Sequence, residues 1–199
     1  MAVTLNASTS SGLVQTADTS GTIELQSNGT TKLSVLSTGV SGTLVQGTAV
    51  ASTSGTSIDF TSIPSWVKRI TVNFSGVSTN GSSGLLLQLG DSGGVENTGY
   101  NSTGNYNGSV VVSTSTAGFI VANGFVAART VFGSYVISLV DSSTNSWVGN
   151  GQLIEAGFAS VYAGAGGKSL SATLDRVRIT TLNGTDAFDA GTINIQYEG

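Results

Sequence analysis

Residues 67–74 read "VKRITVNF": Val67, Ile70, Val72 and Phe74 are apolar, and Thr71 and Asn73 between them are polar. A period of two marks a strand with one buried face. Similar short bursts recur at 85–89, 109–112, 119–121, 131–140, 153–156, 159–162, 170–179 and 192–197, separated by clusters of Gly, Asn, Asp and Ser. A 3.6-residue period comes closest at "FVAART" (125–130), which is too short for a helix. The pattern predicts an all-β fold. The number and spacing of the bursts in residues 56–199 predict a two-sheet β-sandwich of jelly-roll type.

Residues 1–55 contain no aromatic side chain, whereas all seven Phe, five Tyr and two Trp lie from Phe60 onward. "GTAVASTSGTS" (47–57) reads as the connector between the two zones. The first zone alternates in thin bursts, with Ile23 and Leu25, then Leu33 and Val35, then Val40 and Leu44 as apolar positions. Ser27-Asn28-Gly29 is a turn signal between the first two bursts. A short segment without aromatics buries too little surface to fold alone. Packing against copies of itself about a threefold axis solves that problem, so residues 1–55 are expected to form a β-rich attachment and trimerisation segment. A solvated, floppy tail is the alternative.

Composition narrows the function classes. Charged residues are only 9% of the chain, so Ser, Thr, Asn and Gly must cover most of the surface. A surface this poor in charge favours association. The seven basic residues are scattered and the net charge is -4, which argues against nucleic-acid binding. With no His and no Cys, transition-metal sites and disulfides are not expected, and no cofactor is. No apolar run reaches the length of a membrane-spanning helix, and "MAVTLNASTSSG" does not read as a signal peptide.

One stretch imitates an active site. Gly90-Asp91-Ser92-Gly93-Gly94 matches the surroundings of a serine-protease nucleophile. A serine hydroxyl needs a base to take its proton, and a chain without histidine cannot supply the usual one. Lys32, Lys68 and Lys168 are the formal alternatives. The simpler reading is a turn after an apolar strand, with glycines supplying positive φ. The protein is expected not to be an enzyme.

Tyr100 and Tyr106 flank "NSTGN", and Trp147 lies in "STNSWVGNG". Exposed rings beside amides are what a sugar site uses, so these three residues are candidate glycan contacts; the competing reading has them capping the core. Asn-x-Ser/Thr triplets beginning at Asn28, Asn80, Asn107 and Asn183 are expected by chance in such a composition. Pro64 is placed to fix the turn before the strand at 67–74. Arg176 and Arg178 share one strand face, either solvated, paired locally or paired with acids of a neighbour.

Three stretches resemble a module that recurs in bacteriophage structural proteins. They are "IDFTSIPSWVKRITVNFSGVSTNG" (58–81), "STNSWVGNGQL" (143–153) and "LSATLDRVRITTLNGTDAFDAGTINIQYEG" (170–199). The first zone is similar in style to tail-fibre and head-fibre shafts, through "SNGTTKLSVLSTGVSGTL" (27–44). The resemblance implies a non-enzymatic virion structural protein, made in the host cytoplasm and carried on the particle. A homotrimeric fibre or receptor-binding knob is expected. It would contact other virion proteins and a host surface glycan, and neither nucleic acid nor a membrane interior. A capsid decoration protein is the nearest alternative. A carbohydrate-binding module of a secreted cellular protein is more remote.

Overall fold

The computed structural model describes residues 23–27, 29–36, 39–41, 44–106, 112–124 and 126–199. The chain divides into two compact units, Met1–Leu44 and Val45–Gly199. In the first, β1 (Ile23–Ser27), β2 (Thr30–Leu36) and β3 (Gly39–Ser41) form an antiparallel sheet in that order. The register sets Ile23 opposite Val35, Leu25 opposite Leu33 and Val35 opposite Val40, so these aliphatic positions meet across the strands. Gly29, at φ 71°, lies in the β1–β2 turn that the sequence marked, a conformation glycine adopts without penalty. Residues 1–22 of the expected N-terminal segment lie outside the described ones.

The remaining strands are β4 (Leu44–Gln46), β5 (Val50–Ala51), β6 (Ser57–Phe60), β7 (Arg69–Thr79), β8 (Leu85–Asp91), β9 (Gly94–Val95) and β10 (Asn101–Tyr106). They continue with β11 (Val112–Ser115), β12 (Phe119–Ala122), β13 (Val131–Asp141), β14 (Ser146–Glu155), β15 (Ser160–Ser169), β16 (Arg176–Thr181) and β17 (Phe188–Glu198). A larger sheet runs β11-β10-β15-β14-β13-β7-β17-β4, with β5 also on β17. A smaller one runs β12-β8-β16-β6, with β9 on β8. No helix occurs among the described residues, and the sheets pack as an all-β, sandwich-like arrangement. The strand order does not single out jelly-roll connectivity.

The compositional boundary near residue 55 lies beyond the division at Leu44 and Val45. β5 pairs with β17, and the buried Ser52 hydroxyl donates to the Ala190 carbonyl at 2.8 Å. Of the expected strand at 109–112, residues 109–111 lie outside the described ones, as do 107 and 108, and Val112 opens β11. The bursts at 153–156 and 159–162 are one end each of the longer hairpin partners β14 and β15. Of the burst at 170–179, only its second half belongs to a strand, β16.

The core lies between the sheets. Ile70, Val72 and Phe74 of β7, Tyr135 and Ile137 of β13 and Ile193 and Ile195 of β17 meet Leu85, Leu87 and Leu89 of β8 and Val177 and Ile179 of β16. Where β12 crosses β10 and β15, the inward positions are glycines. A Cβ on Gly104 would meet Ile120 Cγ2 at 2.4 Å, and one on Gly166 would meet the Phe119 ring at 3.0 Å. The small residues let one sheet lie directly on the other.

The exposed charges pair across strand registers. Arg178 lies opposite Asp59 and bonds it at 2.6 Å, and Arg69 lies opposite Glu198 at 3.1 Å. Arg176 pairs with Asp175 at 2.6 Å. Of the readings open for the Arg176–Arg178 face, local pairing is the one seen.

Candidate binding face

The three rings expected to contact a glycan all turn toward the core. Tyr100 and Trp147 are each 3% exposed, which leaves neither ring a free face for stacking on a sugar. The Tyr100 ring packs edge-on against Phe119, with centroids 5.2 Å apart. Its hydroxyl accepts the Leu89 N–H at 2.7 Å and donates to the Glu96 carbonyl at 3.0 Å. Burial, above all, raises the Tyr100 phenol well beyond its ordinary range. Trp147 sits on β14 rather than in a loop, on the inward row with Leu153. Tyr106 is half-buried at the end of β10. Its ring lies 5.4 Å from that of Tyr162, and its hydroxyl is 3.0 Å from Ser160 Oγ. The expectation of exposed loop aromatics is therefore corrected: the apolar rings close the core, and the amides between them point the other way.

Ser92 occupies the turn of a two-residue hairpin, because Asp91 pairs with Gly94 and Gly90 with Val95. The glycines around it have separate reasons. Gly94 has φ 132°, and a Cβ on Gly90 would meet the Gly94 carbonyl oxygen at 2.3 Å. Asp91 accepts the Gly93 N–H at 2.8 Å and the Ser171 hydroxyl at 2.7 Å, bonds that hold its carboxyl below the ordinary range. Lys168 is committed elsewhere, to Glu96 at 2.5 Å.

The opposite face of the larger sheet carries a recess. It is a shallow depression of about 660 Å³ over β10, β11, β13, β14 and β15. Antiparallel register explains its contents. Asn73, Ser134, Gln152, Ala163, Asn105 and Val112 lie successively opposite one another across the sheet. Thr71, Val136, Asn150, Ala165, Thr103 and Thr114 form the neighbouring row. Their strand neighbours Tyr135, Leu153, Tyr162 and Ser102 are buried, so period-two alternation aims these rows outward. Ala163, Ala165 and glycine backbone make the floor, and the longer amides of Asn105, Asn150 and Gln152 rise beside it.

Every residue lining the recess is uncharged. Thr103, Asn105, Ser134, Asn150 and Gln152 make no side-chain hydrogen bond within the described residues. One row further along, Phe132 lies opposite Ile154 and Ile154 opposite Val161, forming an outward apolar strip. Phe132 is 40% exposed and Ile154 53%. Residue types alone gave this face no prominence. Its signal was the spacing of Thr103 and Asn105, and of Asn150 and Gln152, each pair two apart with a glycine, Gly104 or Gly151, between.

Comparison with known proteins found no matching family model, no matching curated protein and no matching solved structure.

Proposed function

We propose that the protein is a non-enzymatic structural and adhesion component of a bacteriophage particle. In this reading the N-terminal unit joins copies of the chain to each other and to the particle, and the sandwich carries the recognition surface. A homotrimer is the expected assembly. The observation that carries the reading is the division of the chain at Leu44 and Val45. Ahead of the division lies a three-stranded sheet whose aliphatic positions align in register; Leu25 among them is 46% exposed. A segment this short without aromatic side chains buries little surface by itself and gains most by covering such a face. The phage resemblance of residues 58–81, 143–153 and 170–199 supplies the setting.

The reading is tested on particles purified by density gradient from a lysate that contains the protein. Peptides of this chain should co-purify with the particles at a fixed ratio to the major shell protein. A chain that stays wholly in the soluble fraction contradicts the reading. Density for the chain between neighbouring shell subunits, rather than on a fibre, would select capsid decoration.

A further inference from the structure

We propose that the outward face of β10, β13, β14 and β15 binds a chain of uncharged sugars. The inference deepens the adhesion half of the proposed function by naming a ligand class. It does not depend on the association half, because the lining residues, from Thr103 to Ala165, all lie in the Val45–Gly199 unit.

Three amide side chains outside the recess hold the fold. Asn80 Oδ1 accepts the Ala187 N–H, Asn183 Oδ1 accepts those of Thr185 and Asp186, and Gln88 Nε2 donates to the Ala117 carbonyl. Asn105, Asn150 and Gln152 hold nothing within the described residues, although each sits on a regular strand. An amide offers donors and an acceptor together, which matches a sugar hydroxyl that does both. Thr103 and Ser134 add hydroxyls in the same two rows.

No ionisable side chain lines the recess, so a phosphate, sulfate or carboxylate would shed water there without gaining a counter-charge. Nucleic acid and acidic glycans are disfavoured for the same reason. A neutral polyhydroxyl ligand meets no such penalty.

Strands stand about 4.8 Å apart, so each row presents groups at a repeat comparable with the length of a sugar ring. The Ala163 and Ala165 floor admits the ring body, and the strip of Phe132, Ile154 and Val161 offers apolar surface to its C–H faces.

The experiment uses the full chain with oligosaccharides of dextran, mannan and galactan, and with heparin and polysialic acid fragments as charged controls, read by titration calorimetry. At least one neutral series should bind, with an affinity that changes little between low and high salt. Asn150→Ala combined with Gln152→Ala should weaken it by about tenfold or more, the effect of losing one or two hydrogen bonds. Ala163→Trp fills the floor and should abolish binding. The thermal midpoint of the double variant should stay near that of the parent, because both amides are exposed and bond nothing internal. Failure of every neutral series overturns the proposal, as does binding of the charged controls alone, or neutral binding that survives Ala163→Trp. A drop in assembly mass caused by Ala165→Arg would show that a second copy covers this face, and also overturns it. If the chain still co-purifies with particles when these tests fail, the particle reading stands and only the sugar inference falls.

Discussion

The carbonyl oxygen of Ile120 lies 1.9 Å from where a Cβ on Gly164 would be. The backbone of β12 in the smaller sheet therefore rests on a bare stretch of β15 in the larger one. Gly164→Ala must push the sheets apart or bend a strand. It should destabilise the sandwich by about 1–3 kcal/mol, the range for overpacking a tight core. Gly167→Ala, whose Cβ has 3.7 Å to its nearest neighbour, should cost far less. Chemical denaturation of the two variants measures the difference.

Glu155 is 1% exposed, accepts Arg129 Nη1 at 2.9 Å and accepts the Tyr162 hydroxyl at 3.2 Å. The Arg129 guanidinium also stacks on the Phe158 ring, 3.7 Å from its centroid. Arg129→Met strands a buried carboxylate. Because Arg129 is itself partly exposed, the loss should be on the order of 2 kcal/mol, below the figure for a fully buried pair. Adding Glu155→Gln should recover part of it, and a double-mutant cycle reads the coupling.

Trp147 and Tyr135 each bury a polar atom, the indole N–H and the phenol oxygen, that has no hydrogen-bond partner among the described residues. Trp147 therefore contributes mainly volume. Trp147→Phe should cost about 1 kcal/mol, and Trp147→Ala about 3–5 kcal/mol, through the cavity it leaves.

Three carboxyls should make the fold acid-sensitive. Bonds from the Ser171 hydroxyl and the Gly93 N–H hold Asp91 low, and Asn183 and the Ser83 N–H hold Asp186 low. Burial pulls Glu96 upward, but Lys168 and Ser171 outweigh it and leave that carboxyl below its ordinary value. The unfolded chain takes up these protons near pH 4, before the folded chain does. Their stabilisation is thus complete above that range and is lost as pH falls through the lower folded values. The thermal midpoint should be flat from neutrality to about pH 5 and fall below about pH 4. Ser171→Ala should shrink the fall.

The strands legible in the sequence were those whose inward positions are large and apolar. β7 sets Ile70, Val72 and Phe74 against Thr71 and Asn73, β17 sets Ile193 and Ile195 against Asn194 and Gln196, and β8 and β13 stand out by their density of Leu, Val, Ile and Tyr. β10, the first half of β14 and the second half of β15 were invisible because Ser102, Gly104, Gly149, Gly151, Gly164 and Gly166 stand at their inward positions. The close approach of the other sheet demands small residues there, and that erases the hydrophobic alternation. The recess was lost with them, since its amides sit on the same strands. Sequence drew attention to the aromatics instead, and their size takes Tyr100 and Trp147 into the core.

In the proposed assembly the N-terminal unit associates while the sandwich folds by itself. Light scattering on the full chain should give about three times its mass of 19.9 kDa. The truncated chain 45–199 should be a folded monomer with a cooperative thermal transition. A monomeric full chain would contradict the claim, and so would a truncated chain that keeps the assembly or fails to fold.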